Sequence, residues 1–343
     1  MSIHPTIDKE TVQLASRECL AAFTTPDSEA LRLALTFAND PTTRLWWMRH
    51  SPFPPAGGGE GGVRSLAGWR FLPWDSQVLD RPSGSVGGLW VEGNYAEQCH
   101  RLETVLKACI ADAEARGVHF LSTRLPEDGL AALHAVEAVG FRIIESFLTF
   151  GRKTTSEIPF VRAETRDGGS DFHIRLAQRD EMEPVASIAY RAFQSFRLRV
   201  DPQIPESRAR HYRREWVRNG FKGRAEAIYV AASKNRLVGF ALLRSKTGAM
   251  NEKIGEIELI AVDPAWQGRG IGKALVARAI QYYQGKTSAI QVGTQAKNLQ
   301  AVGLYTRMGF SLIRSELSFH QHANGASMTE STSSTEAEDS HHL

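Results

Sequence analysis

The second half of the chain alternates between two hydrophobic periods, and each period predicts a different secondary structure. Apolar residues occupy every second position from Ile257 to Ala261, as in a strand with one buried face. Leu275 and Ala279 then recur at helical spacing. A second strand over residues 290–294 and a second helix from Asn298 follow in the same order. This alternation predicts an α/β fold in which helices flank a mixed sheet.

The same pattern extends upstream and predicts one domain over residues 165–322, which is an ordinary domain length. Its first part contains a predicted strand, helix and hairpin, over residues 174–177, 183–193, 227–231 and 237–243. The second part is the strand and helix series described above.

The first half of the chain repeats part of the second half. Residues 140–150 and 309–319 agree at six of eleven positions without a gap, at an offset of 169 residues. We therefore interpret residues 65–155 as a second lobe of the same fold, with a chance similarity of two strands as the alternative. No glycine turn precedes the helix predicted near residues 97–116. The N-terminal lobe is thus expected to be degenerate, with an architectural role such as pairing with the second lobe or walling its pocket.

Two flanking regions complete the predicted organisation. Residues 1–64 are expected to form a helical extension, with amphipathic helices between residues 8 and 37, and a Pro- and Gly-rich loop. Residues 323–343 are rich in Ser, Thr and Glu and are expected to be a disordered tail.

Three glycines separate the strand at 257–261 from the helix that follows it, namely Gly268, Gly270 and Gly272. A glycine turn that opens a helix leaves backbone N–H groups at the positive end of the helix dipole, where they can bind phosphate oxygens. The dinucleotide-binding G-x-G-x-x-G pattern fails because residues 273 and 275 are Lys and Leu. The G-x-x-x-x-G-K-[ST] pattern fails because residues 267 and 274 are Gln and Ala. A turn without a ligand is the alternative.

The next helix carries a polar pair. Asn298 suits the N-cap, and Tyr305 lies seven residues later, about two turns along the same face. Capping alone is the alternative role for Asn298, and core packing is the alternative role for Tyr305.

These residues resemble the GNAT superfamily of acetyl-CoA-dependent N-acetyltransferases. Gln267–Gly272 is similar to the Q-x-x-G-x-G loop of that family. The N-x-x-A-x-x-x-Y-x-x-x-G-F motif has its counterparts in Asn298, Ala301, Tyr305, Gly309 and Phe310. The resemblance implies acetyl-CoA as co-substrate, with contacts from Val262, Gln267, Gly268, Arg269, Gly270, Gly272, Lys273 and Asn298. It also implies that Tyr305 protonates the leaving thiolate, a transfer of little cost between ordinary pKa values of ~10 and ~8.5.

An incoming ammonium group must lose a proton before it can attack, and the strand beside the glycine turn carries two carboxylates. Glu258 is the preferred base because it lies nearer the turn than Glu256. A structural or surface carboxylate is the alternative for both. His211 and Asp201 are weaker candidates.

Basic residues are concentrated between residues 197 and 224, where nine Arg or Lys accompany three acids. This stretch predicts either a solvated helix face or an electropositive rim for a phosphorylated acceptor or for CoA phosphates. The rim would include Arg197, Arg199 and His211. The combination resembles the TDP-fucosamine acetyltransferases, which implies a nucleotide-linked amino sugar as acceptor. A small free amine, an antibiotic or a peptide N-terminus is the alternative acceptor, and a non-catalytic CoA-binding regulator is the alternative class.

Composition limits the remaining possibilities. A net charge of +3 over 343 residues, without a DNA-reading motif, argues against nucleic acid as a partner. No apolar run reaches eighteen residues, so a soluble protein without a membrane partner is expected. The three cysteines cannot all pair, which favours the reducing cytoplasm, and no zinc spacing predicts a metal. The expected oligomeric state is a monomer or a homodimer.

Overall fold

The computed structural model describes residues 2–5, 43–49, 63–158, 172–193, 196–248 and 252–323. The helices predicted between residues 8 and 37, the Pro- and Gly-rich loop and the tail beyond residue 323 lie outside these ranges. In the described ranges, no helix combines the length and the apolar character that crossing a membrane requires.

The strands of the described residues form one continuous mixed sheet, in the order β1-β2-β3-β4-β5-β12-β6-β11-β10-β9-β8-β7. The strands are β1 Ser2–Pro5, β2 Thr43–Arg49, β3 Val63–Phe71, β4 Ser83–Val91, β5 Phe120–Pro126, β6 Arg142–Lys153, β7 His173–Leu176, β8 Ala227–Ser233, β9 Arg236–Thr247, β10 Lys253–Val262, β11 Ala289–Gln295 and β12 Ser311–His322. The pairs β4–β5 and β10–β11 are parallel, whereas the other pairs are antiparallel.

Helices cover both faces of this sheet. They are α1 Pro73–Leu79, α2 Tyr95–Ala115, α3 Leu130–Ala138, α4 Met182–Ala192, α5 Arg197–Val200, α6 Glu206–Asn219, α7 Ile271–Tyr283 and α8 Leu299–Arg307. In the C-terminal half, α7 and the sheet form one buried core and α4 and the sheet form another. The predicted mixed sheet with flanking helices is confirmed.

The repeat in the sequence corresponds to a repeat of elements. Shifting β5, α3 and β6 by 169 residues gives the bounds of β11, α8 and β12 at both ends. The two copies, however, do not form separate sheets. The last strand of each copy crosses into the other one, because β6 pairs with β11 and β12 pairs with β5. The exchanged strands also pair with each other at the centre of the sheet.

The exchange also mixes the hydrophobic cores. Phe150 of β6 belongs to the core formed around α7, and its repeat partner Phe319 of β12 belongs to the core formed around α2. Both side chains are almost fully buried. Each copy therefore depends on an aromatic residue supplied by the other one. The predicted boundary between residues 155 and 165 separates two segments of sequence, but the sheet is continuous across it.

A second contact between the copies involves α1 and α6. The ring of Trp74 meets the rings of Tyr212 and Trp216 edge to face, at centroid distances of 4.9 and 6.1 Å. The Tyr212 hydroxyl donates a hydrogen bond of 2.8 Å to Asp75. This contact fixes α6 against the N-terminal copy.

A buried chain of hydrogen bonds forms the third contact between the two copies. Arg81 donates to Nδ1 of His322, and Arg197 donates to Nε2 of His320, at 2.8 and 2.9 Å. Because a guanidinium only donates, these two ring nitrogens are acceptors. The other nitrogen of each ring then carries the hydrogen and donates to Oδ2 of Asp201, at 2.6 and 2.9 Å. The chain of five side chains is hereafter called the relay.

Burial and the hydrogen bonds of the relay shift the pKa values of Asp201 and His320. Burial is the largest influence on Asp201 and opposes its charge, but the hydrogen bonds from His320 and His322 outweigh it and hold the pKa of Asp201 well below its usual value. Burial lowers the pKa of His320 from 6.5 to about 4, although the bond to Asp201 opposes this shift. His320 thus acts as a neutral bridge between the Asp201 carboxylate and the Arg197 guanidinium.

Acidification from about pH 6.5 to 4 is expected to destabilise the protein through His320. In this window the unfolded chain binds a proton at this residue and the folded protein does not, so stability falls as the pH falls. The free energy of unfolding, measured by urea denaturation at each pH, should decrease by about 1 to 3 kcal/mol across the window.

A matched pair of variants tests this assignment. His320→Asn keeps a donor toward Asp201 but removes the titrating ring, so its stability should vary less over the same window. Substituting the exposed His100 with Gln should leave the wild-type profile intact. An unchanged slope in the His320 variant would show that another group is responsible.

Candidate functional site

A cleft opens in the sheet between β10 and β11. Their parallel ladder ends at the pair Ile257–Val292, although β10 continues to Val262 and β11 to Gln295. Beyond this pair, β10 follows β9 as far as Val262, and β11 follows β6 as far as Gln295. The two strands diverge because each remains paired with its other neighbour. The end of β10 therefore offers backbone groups to a ligand in the cleft.

A β-bulge shapes the wall of the cleft. The register between β10 and β9 shifts between Ile257 and Leu259, which leaves Glu258 as the extra residue. Before the shift, Ile257 packs into the core around α7, and after it Leu259 packs into the core around α4. The bulge thus changes which face of β10 each side chain occupies.

One cavity of about 960 Å³ includes this cleft and continues to the opposite face of the sheet. At the cleft, the lining includes Val262, Gln267, Gly268, Gly270, Gly272, Asn298 and Tyr305. On the opposite face, α4 to α6 line the cavity together with β5, β6 and β12. The cleft is therefore continuous with a second space, whose walls come from both copies of the repeat.

The glycine turn lies at one end of the cleft. Gly268 and Gly270 adopt φ values of 77° and 83°, a region that favours glycine. A Cβ at either position would meet no atom within 4 Å, so the backbone conformation and not crowding requires glycine. Gly270 is the N-cap of α7. Since it has no side chain, the cap itself cannot satisfy the N–H groups of the first turn, and these suit phosphate oxygens.

Two predicted contacts of the turn lie outside the cavity lining. The guanidinium of Arg269 stacks over Trp266 at 4.6 Å, and Lys273 is the third residue of α7. Gln267 lines the cavity, and its side chain donates a hydrogen bond of 3.2 Å to the carbonyl oxygen of Val262. This bond ties the turn to the open end of β10.

The corresponding helix of the N-terminal copy, α2, begins differently. Its N-cap Asn94 accepts from the amide of Glu97, and the Glu97 carboxylate accepts from the amide of Asn94. This capping box satisfies first-turn donors with side chains and places a negative charge at the helix start. Arg101 closes the same corner through the Glu92 carbonyl. An incoming phosphate would meet a carboxylate there, which agrees with the predicted degenerate lobe.

Asn298 and Tyr305 lie where the helical spacing predicts. The Asn298 side chain accepts from the amide of Ala301 at 3.2 Å and caps α8. Tyr305 is 3% exposed, packs near Phe150 and Phe310, and lines the cavity. Burial raises the pKa of Tyr305 above its ordinary value. Its phenol is therefore neutral at neutral pH and suited to donate a hydrogen bond.

The raised pKa of Tyr305 changes what is expected of its role as a proton donor. With an ordinary phenol pKa, proton transfer to a thiolate would cost little. Burial makes the phenol a weaker acid, so complete transfer is less favourable than the sequence argument implied. Donation of a hydrogen bond to a developing thiolate remains compatible with the structure.

The two carboxylates on β10 have different surroundings. Glu256 forms ion pairs with Arg244 and Lys246 through both of its oxygens, at 3.0 and 2.8 Å. Glu258 pairs through Oε1 alone, with Arg224 at 2.7 Å and Arg244 at 3.6 Å. Its Oε2 is buried and has no hydrogen-bond partner among the described residues. Both residues line the cavity, but only Glu258 has an oxygen free to accept a proton.

The basic stretch is mostly neutralised by its own surroundings. Arg199 and Arg210 pair with Glu206, and Arg214 and Arg218 pair with Glu183. The members of the stretch that line the cavity are Arg197, Arg213 and Arg224. The interpretation as a solvated helix face thus describes most of these residues, and the interpretation as a rim describes three of them.

Three predicted candidates lie away from the cavity. Arg199 is turned toward Glu206 and the Phe193 carbonyl. His211 lies near Glu215 on the exposed side of α6, and burial is the largest of the influences that lower its pKa. Asp201 is committed to the relay. The structure therefore places Arg197 at the cavity but not Arg199 or His211, and Asp201 has no access to an amine there.

The N-terminal lobe was expected to wall the pocket, but the sequence did not indicate which of its residues would do so. Arg124 of β5 and Glu145 and Phe147 of β6 line the cavity on the side of α4 to α6. The Arg124 guanidinium lies 3.8 Å from the centre of the Phe147 ring. The repeat was a visible signal for β6 but did not indicate that its last strand enters the other copy.

The relay contains the group of described residues that could hold a metal ion, namely Asp201, His320 and His322. The nitrogen lone pairs of the two rings face Arg81 and Arg197, and their N–H groups face the carboxylate. Hydrogen bonds thus satisfy these three side chains without a cation, and two guanidinium groups lie beside them. We interpret the relay as structural.

Known proteins with similar sequences and folds match this geometry. Residues 183–310 match the Acetyltransferase (GNAT) family. The spore coat polysaccharide biosynthesis protein SpsD of Bacillus subtilis (strain 168) is 25% identical over 255 residues, which are 72% of this chain and 80% of SpsD.

Two solved structures share the fold over most of the chain. A GCN5-related N-acetyltransferase from Sphaerobacter thermophilus has a TM-score of 0.57 at 16% identity and covers 93% of this chain and 95% of its own. A tandem GNAT protein from the clavulanic acid biosynthesis pathway has a TM-score of 0.52 at 15% identity, with coverages of 94% and 98%. The segment that matches the GNAT family of acetyltransferases, residues 183–310, contains the open cleft, the glycine turn and Tyr305.

Proposed function

We propose that the protein transfers an acetyl group from acetyl-CoA to a primary amine by direct attack, and that the amine belongs to a nucleotide-linked amino sugar. One observation carries the proposal. The cleft between β10 and β11, with the uncapped start of α7 at one end and Tyr305 on its wall, leads through a single cavity to a polar space on the other face.

The cleft offers a place for each part of the co-substrate. The backbone amides of the turn over residues 267–273 suit the pyrophosphate of CoA. The open end of β10 near Val262 suits the amide groups of the pantetheine arm, as an added strand would. Asn298 lines the same space. When bound, acetyl-CoA supplies the activated acyl group, and the protein contributes position and polarity.

The polar groups at the inner end of the cleft have complementary tasks. Oε2 of Glu258 accepts the proton of the incoming ammonium group, directly or through a water molecule. The neutral phenol of Tyr305 donates a hydrogen bond at the position of the leaving sulfur. A strand N–H near Val262 polarises the carbonyl oxygen. The second proton of the amine, released as the C–S bond breaks, is taken up by the leaving sulfur, and no covalent intermediate forms on the enzyme.

The acceptor is inferred from the polar half of the cavity. That half is lined by α4 to α6 together with β5, β6 and β12, which favours an acceptor larger than a small free amine. Arg197 contributes positive charge to that half. The relative SpsD is named for polysaccharide biosynthesis, which supports a sugar-linked amine. A small amine, an antibiotic or a peptide N-terminus is the runner-up acceptor.

A non-catalytic CoA-binding regulator would use the same cleft without turnover. The free oxygen of Glu258 favours the enzyme, because a purely binding site gains nothing from a buried carboxylate oxygen without a partner. Thiol release from acetyl-CoA with a panel of amines distinguishes the two. Binding of CoA without release for any amine would favour the regulator.

Gly270→Ala is expected to weaken CoA binding about 10-fold, because a side chain strains the positive φ that presents the amides of the turn. Gly285→Ala is the control, at the other end of the same helix. Gly285 has a φ of 72° and equally open surroundings. Both variants should lose about 1 kcal/mol of stability, but calorimetric titration with CoA should separate them. Equal affinities would refute the cradle.

Tyr305→Phe is expected to lower kcat about 100-fold while leaving the Kd for acetyl-CoA near the wild-type value. The substitution removes only the hydroxyl, so the contacts of the ring with Phe150 and Phe310 persist. Steady-state rates and calorimetry of the same preparation test this. A variant with normal kcat would assign the phenol a packing role.

Glu258→Gln is expected to lower kcat/KM about 100-fold at neutral pH, because an amide cannot accept the proton. Glu256→Gln is the matched control two residues away, and it should change the rate far less, since both oxygens of Glu256 are held in ion pairs. The rate loss of the Glu258 variant should shrink as the pH rises and the free amine becomes more abundant. Similar losses in both variants would point to a structural role.

A further inference from the structure

Three arginines from separate elements converge on the acceptor half of the cavity. Arg124 lies on β5 of the N-terminal copy, Arg197 begins α5, and Arg213 lies on α6. Burial is the main influence that lowers the pKa of Arg124, and the charge of Arg197 lowers it further. Burial likewise lowers the pKa of Arg213 to about 10, and Arg197 and Arg124 add to the effect. The three guanidinium groups thus line one space and lie within electrostatic range of one another.

The positive charge is only partly compensated. Glu145 is the carboxylate among them, with a side chain 3% exposed and a loose pair to Arg124 at 3.7 Å. Its Oε2 has no hydrogen-bond partner among the described residues. Three guanidinium groups less one carboxylate leave a net charge of +2. The neighbouring Arg314 and Glu316 cancel each other, and Lys297 adds positive charge toward Glu145.

The guanidinium of Arg213 has a hydrogen-bond donor that the described residues do not use. Its guanidinium lies over the rings of Phe193, Phe196 and Trp216, at 4.8, 4.1 and 5.1 Å. Its Nε is buried and has no hydrogen-bond partner among the described residues. Such a group normally has a partner, because an unpaired buried donor is costly. An anion in the cavity would supply the missing acceptor.

Contacts with neighbouring side chains hold the other two arginines in place. Arg197 donates to His320 and is thereby anchored to the relay, which ends at Arg81 of the N-terminal copy. Arg124 lies over the Phe147 ring and donates to the Ser318 hydroxyl at 3.1 Å. Neither guanidinium is neutralised by these contacts, because an imidazole nitrogen, a ring face and a hydroxyl carry no negative charge. The site is therefore both pre-organised and cationic.

We propose that Arg124, Arg197 and Arg213 form an anion-binding site for the phosphate or diphosphate group that carries the acceptor sugar. The site is shared between the two copies of the repeat, which gives the degenerate N-terminal lobe a direct role in acceptor recognition. A diphosphate, with one negative charge on each phosphate, would match the net charge of the four residues. This proposal rests on the proposed function, because it names the part of the acceptor that the cavity recognises.

The test compares acceptors that differ only in phosphate content, namely a free amino sugar, its 1-phosphate and its UDP ester. Wild-type protein is expected to show the lowest KM for the phosphorylated acceptors. Arg124→Gln and Arg197→Gln should raise those KM values about 10- to 100-fold, with kcat less affected. The KM for the free amino sugar should stay unchanged in both variants.

Arg210→Gln is the control, on the same helix as Arg213 but paired with Glu206 and outside the cavity. It should retain wild-type KM values for all three acceptors. Equal losses for phosphorylated and free acceptors in the Arg124 and Arg197 variants would indicate a structural role and overturn the proposal. A wild-type preference for the free amino sugar would overturn the anion site while leaving acetyl transfer intact.

A binding measurement separates this proposal from the proposed function. Pyrophosphate is titrated calorimetrically into protein saturated with CoA, so that the glycine turn is already occupied. Binding to the wild type that weakens at least 10-fold in Arg124→Gln and Arg197→Gln, but not in Arg210→Gln, supports the site even if none of the acceptors reacts. Absent binding, or equal binding in all four proteins, overturns it.

Discussion

The pairing of β11 with β6 is the constraint on which the site depends. β11 follows β6 along its whole length but follows β10 for only four residue pairs, so the sheet opens between β10 and β11. The same pairing brings β6 of the N-terminal copy to the edge of the cavity. One set of backbone hydrogen bonds therefore creates the cleft and supplies part of the wall of the cavity on the opposite face.

The two copies have diverged at their helix starts more than in their architecture. At α7 the N-cap is glycine, which leaves the first-turn amides to a ligand. At α2 an asparagine and a glutamate satisfy the corresponding donors. The start of α2 thus meets an anion with a carboxylate instead of free amides. Arg124 and Arg81 of the N-terminal copy reach the cavity and the relay, respectively.

Buried charge is handled in two ways around the cavity. The relay places one carboxylate between two imidazoles and two guanidinium groups, so that every ring nitrogen has a partner. The cavity wall does the opposite, because Oε2 of Glu258, Oε2 of Glu145 and Nε of Arg213 lack partners among the described residues. Satisfied groups fix the framework, and unsatisfied groups mark the places where a ligand contributes the missing bond.

The sequence by itself determined the local features of this protein. Glycine at residues 268 and 270, the cap at Asn298 and the register of Tyr305 follow from φ preferences and helical spacing, which act within a few residues. The offset of 169 residues likewise located the repeated elements. Only the tertiary structure decided the strand exchange, the loss of Arg199 and His211 from the cavity, and the entry of Arg124. These features depend on pairing between distant segments. Neither the number of charged residues nor the hydrophobic periodicity of the sequence indicates which partner a strand or a guanidinium contacts.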